Sequence, residues 1–363
     1  MLFVVIYLKA RPTMASEQAL INVDGLKVYY PVGSKGFLKK ETFYVKAVDG
    51  LNFDIYPGET FGLVGESGSG KTTVGRAMLR AQDITGGAVT YNINGKKVVI
   101  ADLSEAELRK FRQHAQLIFQ DPYSSLNPRM TVRDIIAEPL EAMGLCKTRE
   151  EVDEKVRVIA ERCKLSLEHL RRFPHAFSGG QRQRICIARA LVCDPKFVVC
   201  DESVSALDVS IQAEILNLLS DLQKERGLSY LFIAHDLSVV AHISDRVAVM
   251  YVGNIVELAS RERLFLRPMH PYTKALMSAI PKVAKGEVFK PEKLDGEIPN
   301  PANLPAGCAF HTRCKFARDQ CSSKTPEWRE PEPGHFVACH FAEELADELA
   351  AAPVLKKRTS KKK

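Results

Sequence analysis

The chain has 363 residues, of which 45% are hydrophobic and 26% charged, and its formal net charge is +7. This is ordinary soluble globular composition, enough for one large domain or two smaller ones. No apolar run approaches the ~20 residues of a membrane-spanning helix, and the N-terminal stretch Met1 to Leu8 lacks the flanking features of a secretory signal. We expect residues 1–19 to form a disordered extension, with Met14 as an alternative start.

Alternating apolar residues predict strands in the first part of the chain. The pattern over residues 20–30 indicates a strand, a turn at Gly25 and a second strand, followed by a loop over 31–40. Two further strands, Val48 to Ile55 and Thr60 to Val64, precede an amphipathic helix from Thr72 to Leu79.

A phosphate-binding loop connects the second of these strands to the helix. It has the form G-x-x-x-x-G-K-[ST] and consists of Gly65, Glu66, Ser67, Gly68, Ser69, Gly70, Lys71, Thr72 and Thr73. Its glycines allow successive backbone N–H groups to point at phosphate oxygens, and the helix N-terminus adds positive potential. Lys71 would neutralise phosphate charge, and Thr72 would offer its hydroxyl to Mg²⁺. The motif therefore predicts nucleotide binding.

The middle of the chain changes from strand to helix. Turns are predicted at Gly86-Gly87 and Asn94-Gly95, and the capping box that begins at Ser104 opens a helix to about His114. After a strand from Gln116 to Gln120, the pattern from Asp121 to Lys164 is helical and irregular, with breaks at Pro122, Pro128 and Pro139, and the subdomain that it indicates covers about 121–185. We expect an inserted helical subdomain here.

Two further polar segments carry candidate chemistry. Ser178, Gly179, Gly180 and Gln181 open a helical run and resemble a second anion-binding helix N-terminus. The apolar run Phe197 to Cys200 ends in Asp201 and Glu202, as a strand buried on both faces would end at a site.

The remaining pattern completes an α/β core with crossover connections. A helix from Ile211 to Arg226 precedes a buried strand, Tyr230 to Ile233, that leads to His235. Strands from Val247 to Tyr251 and Asn254 to Leu258 follow. We place the end of this nucleotide-binding domain, residues 20–265, where proline and glycine become frequent. Residues 266–341 would form a small extension, and 342–363 a helix and a basic tail.

Nine cysteines in a chain without an export signal favour reduced thiols. Five lie among apolar neighbours and are expected in the core: Cys146, Cys163, Cys186, Cys193 and Cys200. The other four, Cys308, Cys314, Cys321 and Cys339, cluster among Pro, Gly, Arg and His residues and favour a metal site. Their spacing lacks the paired C-x2-C of common zinc modules, which weakens zinc without excluding it. Unligated cysteines remain the alternative, and His311 and His340 are alternative ligands.

The order and spacing of these motifs closely resemble those of ABC-type ATPases. The resemblance implies a P-loop NTPase cassette with a RecA-like α/β core, an antiparallel β subdomain and a helical subdomain. It implies that Asp201 holds Mg²⁺ through water, and that Gln120 reaches the metal and the attacking water. Glu202 would then be the general base, and His235 would contact the γ-phosphate.

The same resemblance implies a site shared between two subunits. Ser178 to Gln181 form the signature segment of the family, here preceded by Phe177 where the family usually has leucine, and would close over the ATP held by another subunit's phosphate loop. Asp208 would belong to the loop that communicates between the two sites. Tyr30 is our choice for the aromatic residue that stacks on adenine, with Tyr44 as its competitor.

The C-terminal segments around His270, Cys308 to Cys314 and Cys339 resemble the extension of oligopeptide and dipeptide importer ATPases. In some members that extension binds a [4Fe-4S] cluster, which implies such a cluster on the four cysteines here, with zinc as the alternative. Cofactors implied by the resemblance are thus ATP, Mg²⁺ and the cluster.

We therefore expect the ATP-hydrolysing subunit of an importer for short peptides, bound peripherally at the cytoplasmic face of the cell membrane. Its partners would be a second, different ATPase, two transmembrane permeases and, through them, a solute-binding protein. Related importers of nickel, glutathione or other small solutes share this type of ATPase.

Two rival hypotheses are a soluble ABC protein that acts on ribosomes or DNA and a cassette that binds ATP without hydrolysing it. The first usually carries two cassettes or a long coiled-coil insertion, and the second tends to lose Glu202, His235 or the signature. No nucleic-acid partner is expected, since no aromatic residues interleave with the charges of the basic tail. A solvated tail, or attraction to anionic lipid, is the expected role of that tail.

Overall fold

The computed structural model describes residues 18–32, 43–279 and 294–350. The predictions for residues 1–17, for the loop after Val32 and for the basic tail lie outside these ranges. None of the described helices is long and apolar enough to cross a membrane.

An eight-stranded sheet forms the centre of the fold, with strands in the order β11-β12-β10-β9-β3-β8-β7-β6. These strands are β3 Thr60–Val64, β6 Ala115–Ile118, β7 Phe197–Asp201, β8 Ser229–Ala234, β9 Arg246–Tyr251, β10 Asn254–Ser260, β11 Arg329–Glu332 and β12 His335–Val337. The five strands from β9 to β6 are parallel, and β10, β12 and β11 pair antiparallel. Every residue of β3, β7 and β8 is buried, as expected for parallel strands covered on both faces.

A second sheet is antiparallel, in the order β2-β1-β4-β5, with β1 Ile21–Val32, β2 Phe43–Ile55, β4 Gly86–Ile93 and β5 Lys96–Val99. The predicted turn at Gly25 is wrong. The residue instead takes φ +58° inside the single strand β1, where pairing with β2 shifts register, so it accommodates a bulge. Asn94-Gly95 does form a hairpin turn, whereas Gly86-Gly87 lies within β4, where Gly87 packs against the backbone of Gly25.

Helices cover the sheets. They are α1 Lys71–Met78, α2 Glu105–Phe111, α3 Val132–Met143, α4 Arg149–Arg162, α5 Gly179–Leu191, α6 Val209–Arg226, α7 Leu237–Ile243, α8 Arg261–Leu266, α9 Pro271–Ser278, α10 Asp319–Ser323 and α11 Ala342–Leu349. Helices α3 and α4 lie in the predicted helical subdomain. The predicted break at Pro139 is wrong, since this proline lies inside α3. Burial of Ile135, Ile136 and Leu140 offsets the one hydrogen bond that Pro139 cannot donate.

The C-terminal segment continues the main sheet. Glu257 and Leu258 of β10 lie opposite Val337 and Phe336 of β12, and β11 pairs with β12 beyond it. The boundary that composition indicates near residue 265 is therefore bridged by strand pairing. Residues more than 60 positions beyond that boundary share one sheet with the nucleotide-binding motifs.

Candidate nucleotide-binding site

The phosphate loop lies between β3 and α1, and three of its glycines have a backbone conformation that other residues rarely adopt. Gly65, Gly68 and Gly70 have φ values of 156°, 78° and 105°. A Cβ at Gly65 would collide with the carbonyl oxygen of Met250, and one at Gly70 with that of Ala47. The glycines therefore allow the loop to lie against β9 and β2.

The ammonium of Lys71 lies inside the loop. Its Nζ donates to the carbonyl oxygens of Gly65 and Glu66, each at 2.8 Å, and its side chain is buried. Burial lowers the pKa of Lys71, although Glu202, Asp201 and Glu66 act in the opposite direction. The charge is thus enclosed at the place where a phosphate-loop lysine meets its anion.

Helix α1 begins without a side-chain cap. Its N-cap is Gly70, which has no side chain to accept the N–H groups of the first turn. Within the loop, Ser69 is buried and its carbonyl oxygen accepts the N–H of Gly253 at 2.9 Å, while Ser67 and Gly68 are exposed. The helix N-terminus can therefore serve an anionic ligand.

The structure brings together two of the predicted magnesium ligands. Thr72 Oγ1 donates to Asp201 Oδ1 at 2.9 Å, joining the first turn of α1 to the end of β7. Asp201 is buried, and burial raises the pKa of its carboxyl group. A hydroxyl and a buried carboxylate are oxygen donors of the kind that Mg²⁺ prefers.

The three predicted catalytic residues meet beside this pair. They follow the ends of β6, β7 and β8, and Gln120 Nε2 donates to Glu202 Oε2 at 2.7 Å. His235 Nδ1 lies 3.7 Å from the same carboxylate oxygen. Glu202 has φ +44°, an unusual conformation for a residue with a side chain, and its N–H donates to the carbonyl oxygen of Ile233 at 3.0 Å. Such strained positions cluster at functional sites.

The signature segment is organised around its own helix. Ser178 Oγ accepts the N–H of Gln181 at 3.4 Å, and Gln181 Oε1 accepts the N–H of Ser178 at 3.1 Å, which forms a capping box at the start of α5. A Cβ at Gly180 would lie 2.5 Å from Ile211 Cγ2, so the segment packs on α6. In the ranges 18–32, 43–279 and 294–350, no hydrogen bond joins it to the phosphate loop.

The loop that precedes α6 links this helix to the backbone of Glu202. Ser205 Oγ donates to the carbonyl oxygen of Glu202 at 2.8 Å, and Asp208 is the N-cap residue of α6 without using its side chain. Leu207 lies 3.5 Å from where a Cβ of Gly179 would be. A movement of the loop would therefore reach both the signature and Glu202.

The two tyrosines considered for adenine stacking lie on paired strands. Tyr30 of β1 is opposite Val45, and Tyr44 of β2 is opposite Pro31. Their exposed fractions are 36% and 51%. Both lie near Ala47, whose carbonyl oxygen contacts the phosphate loop, and the choice between them stays a prediction.

Sequence reasoning missed two residues that contact the loop from the C-terminal segment. The two terminal guanidinium nitrogens of Arg313, Nη1 and Nη2, donate to the carboxylate of Glu66, at 2.7 and 3.0 Å. The hydroxyl of Tyr272 accepts the N–H of Glu66 at 2.9 Å. Arg313 is 247 residues from Glu66 in the chain, so no local pattern indicates the contact.

The four clustered cysteines line one cavity together with Phe310, Phe316 and other residues. The N–H of Cys308 donates to the carbonyl oxygen of Cys321 at 2.8 Å. Burial raises the pKa of the Cys314 thiol to about 11 and that of Cys339 to about 12. In the described part of the chain, no three His, Cys, Asp or Glu side chains are grouped so that they could hold a metal ion.

The alternative ligands of this cluster have other partners. His311 Nδ1 is 2.8 Å from the carbonyl oxygen of Cys308, and His340 Nε2 is 2.8 Å from that of Lys324. Three of the remaining five cysteines are buried in the core, as predicted: Cys163, Cys186 and Cys200. The other two, Cys146 and Cys193, are partly buried against it.

Comparison with known proteins agrees with this arrangement. Residues 48–205 match the ABC transporter family model, and residues 256–321 match the model for the oligopeptide/dipeptide transporter C-terminal region. The dimeric structure of the ATP-binding cassette MJ0796 bound to ADP and phosphate is similar, with a TM-score of 0.57 and 26% identity over 66% of this chain and 98% of that chain.

Curated relatives match over most of the chain. The oligopeptide transport ATP-binding protein AppF of Bacillus subtilis is 49% identical over 332 residues, 91% of this chain and 99% of that protein. The putative oligopeptide transport ATP-binding protein YkfD of the same organism is 51% identical, over 89% of this chain and 95% of that protein. With the phosphate loop and the carboxylates of its site in place, the chain belongs to the ATP-hydrolysing ABC transporter proteins of the oligopeptide/dipeptide transporter family.

Proposed function

We propose that this chain is the subunit that binds and hydrolyses ATP to energise an ABC importer of oligopeptides or dipeptides. The observation that carries the proposal is the meeting of Gln120, Glu202 and His235 beside the buried Thr72–Asp201 pair. The match of residues 256–321 to the oligopeptide/dipeptide transporter C-terminal region, and the names of the relatives, support peptides as the solute. Importers of nickel, glutathione or another small solute are the alternative.

Each residue of the phosphate loop has a proposed role. Apart from the Glu66 N–H, which donates to Tyr272, the backbone N–H groups of the loop and of the first turn of α1, with the side chains of Lys71 and Thr73, bind the phosphates of ATP. The Thr72 hydroxyl, the Asp201 carboxylate and Gln120 would hold Mg²⁺, which neutralises phosphate charge when bound. Their oxygen donors suit this ion, and the raised pKa of Asp201 reflects a buried carboxyl group that a cation would keep ionised.

Hydrolysis requires a base next to the nucleophile. Glu202 orients the attacking water and accepts its proton, while Gln120 holds the carboxylate through the hydrogen bond at 2.7 Å. His235 lies beside the same carboxylate, and its side chain is 56% exposed. One of its ring nitrogens would therefore be free to contact the γ-phosphate. The arrangement of the three side chains would thus depend on whether the γ-phosphate is bound.

The site is completed by a second cassette. The exposed ends of the segment Ser178 to Gln181 would contact ATP that is held by the phosphate loop of the partner, with the loop containing Asp208 lying between the two sites. We propose a different, sister ATPase as that partner. ATP binding would bring the cassettes together and hydrolysis would separate them.

The transport partners would be two permeases and, through them, a solute-binding protein. The segment from Tyr123 to Met143 would receive the cytoplasmic coupling helices of the permeases. Tyr123 is 63% exposed, and Phe119, next to Gln120, is 43% exposed. Exposed aromatic residues of this kind are typical of protein interfaces. The chain would then be peripheral at the cytoplasmic face of the membrane.

Co-expression with two peptide-importer permeases and a sister ATPase from the same genome tests this function. Proteoliposomes that contain the assembled complex should take up a labelled short peptide in an ATP-dependent manner, with the solute-binding protein present. Uptake of nickel or glutathione instead of peptide would contradict the peptide assignment. A failure of this chain to purify with the permeases would contradict transport altogether.

We also propose that Cys308, Cys314, Cys321 and Cys339 bind a [4Fe-4S] cluster. The four thiols line one cavity with aromatic walls. A cubane cluster is larger than a single ion, so its ligands need not approach one another as closely as the ligands of zinc must. Burial raises the pKa of the Cys308, Cys314 and Cys339 thiols. Iron would bind these cysteines as thiolates, so cluster binding would release their protons.

Metal analysis of anaerobically purified protein tests the cluster. About four irons and four acid-labile sulfides per chain are expected, and Cys321→Ser should lose them. A matched variant of a core cysteine, Cys186→Ser, should keep them. Stoichiometric zinc, or no metal at all, would contradict this proposal without affecting the ATPase.

A further inference from the structure

Glu66, the second residue of the phosphate loop, is held at three points. Its carboxylate is bound by the two terminal nitrogens of Arg313, its N–H donates to Tyr272 Oη, and its carbonyl oxygen accepts from Lys71 Nζ. The first two of these contacts come from the segment after residue 265. Backbone position and side-chain position of Glu66 are therefore both set by the C-terminal segment.

The Arg313–Glu66 pair has the properties of a specific contact. The Arg313 side chain is 5% exposed and that of Glu66 is 26% exposed, so the pair is largely shielded from solvent. Its geometry is bidentate, which fixes orientation as well as distance. The guanidinium also lies 5.9 Å from the ring centroid of Tyr251 and donates to its hydroxyl at 3.5 Å.

The elements that carry Arg313 and Tyr272 are themselves fixed. Tyr251, Tyr272 and Phe310 form an aromatic cluster with ring centroids 4.7 to 5.3 Å apart. The buried carboxylate of Glu257 accepts the N–H groups of Met269 and His270, just before α9, at 2.6 and 3.1 Å. Arg313 is therefore presented to the loop by a packed and hydrogen-bonded support.

We propose that Arg313 and Tyr272 are positioning residues that hold the phosphate loop in its ATP-binding conformation, so that ATP affinity depends on the C-terminal segment. A loop whose backbone N–H groups must converge on phosphate oxygens loses affinity when its second residue is free to move. Arg313 directly precedes Cys314, so a change in the cysteine cavity is transmitted to the loop through one peptide unit. The inference rests on ATP binding at this loop, and it does not depend on the solute or on a bound cluster.

Nucleotide affinity of the purified full chain tests the proposal, with a fluorescent ATP analogue as the probe. Arg313→Gln and Glu66→Gln should each raise the Kd roughly tenfold, within the range typical of coupling between sites. The Kd of the double variant should not exceed the higher Kd of the two single variants, because both substitutions remove the same interaction. Arg313→Lys, which keeps the charge but not the fork, should be intermediate.

A matched control comes from the same segment. Arg267→Gln removes exposed ion pairs with Glu332 and Asp347, none of which lines the cysteine cavity, and should leave the Kd unchanged. Unchanged Kd in a folded Arg313→Gln protein, or multiplicative losses in the double variant, would overturn the proposal. If Arg313→Gln fails to fold, Arg313→Lys and Tyr272→Phe decide, since each should still weaken ATP binding several-fold and wild-type affinity in both would overturn it.

Thermodynamic linkage between the segment and ATP gives a second measurement, whose result would not change if Arg313 and Tyr272 only stabilised the fold. If the segment tightens the loop around ATP, ATP must equally stabilise the segment. Amide hydrogen exchange over residues 308–323 should therefore slow when ATP is added to the wild-type chain, and should not respond in Glu66→Gln. Equal protection in both proteins at saturating ATP would contradict the coupling. Failure of peptide transport would leave both measurements unaffected.

Discussion

Two helices of this molecule, α1 and α5, begin with glycine-rich segments and differ in how their first N–H groups are satisfied. At α1 the N-cap is Gly70, without a side chain, and the side chains of Ser69 and Lys71 next to it are buried. At α5, Ser178 and Gln181 cap the helix with their own side chains and are exposed. The N-terminus of α1 therefore has N–H groups available for phosphates. The N-terminus of α5 is already capped by its own side chains and is exposed, so it can contact the ligand of another subunit.

The surroundings of the two segments differ in the same sense. The phosphate loop is held by β2, β9 and the C-terminal segment, through Ala47, Met250 and Arg313. The signature touches the start of α6, at Leu207 and Ile211. Two helix N-termini that resemble each other in sequence thus differ in how many elements of the fold hold them.

The largest effect is expected where both segments are needed. Glu202→Gln should reduce turnover by roughly 10²–10⁴-fold, the contribution of a general base, while ATP binding persists. ATP should then hold two cassettes together, because hydrolysis no longer separates them. Phosphate release and size-exclusion chromatography with ATP measure the two results. Wild-type turnover would refute the assignment of Glu202.

A change confined to the first segment should affect binding itself. Lys71→Ala removes the buried cation that would bind the phosphates, and should weaken ATP binding by roughly 10²–10³-fold, as expected when one partner of a buried charge pair is lost. Titration of the purified chain with an ATP analogue measures this. Near-normal affinity would show that the enclosed loop is not where the phosphates bind.

A change confined to the second segment should separate binding from turnover. Ser178→Ala should leave the Kd of the isolated chain for ATP unchanged and lower turnover of the assembled ATPase about 10²-fold, as for loss of one donor to the transition state. Steady-state hydrolysis and equilibrium titration together decide. Weakened binding by the isolated chain would mean that the signature acts on its own subunit's nucleotide.

The smallest effect belongs to the matched cap of α2. Ser104 forms the same type of capping box with Glu107, far along the chain from the signature. Ser104→Ala should cost about 1 kcal/mol of stability and leave turnover unchanged. Chemical denaturation and hydrolysis assays test this. An equal loss of turnover in Ser104→Ala and Ser178→Ala would reduce the role of Ser178 to capping.

The sequence predicted those parts of the site that depend on continuous motifs. Gly65 to Thr72 lie where the motif requires. Gln120, Asp201 and His235 lie at or just after the ends of β6, β7 and β8, and they converge because parallel strands share one carboxyl edge. The juxtaposition of Glu202 with Gln120 follows from the same rule.

Other features depend on contacts that no local pattern records. The pair between Glu66 and Arg313 joins residues 247 positions apart. Gly25 was predicted as a turn because glycine permits both a turn and a bulge, and only pairing with β2 decides between them. Pro139 was predicted as a helix break, whereas packing of α3 overrides its local preference.

The pairing of β12 with β10 protects the sheet against association at its edge. Without residues 329–337, the backbone N–H and C=O groups of β10 would be open to another chain. The outermost strand, β11, has only four residues and contains Arg329, Glu330, Pro331 and Glu332, a short, charged and proline-containing sequence that discourages further strand addition. A cassette truncated after β10 should therefore be more prone to aggregation than the full chain.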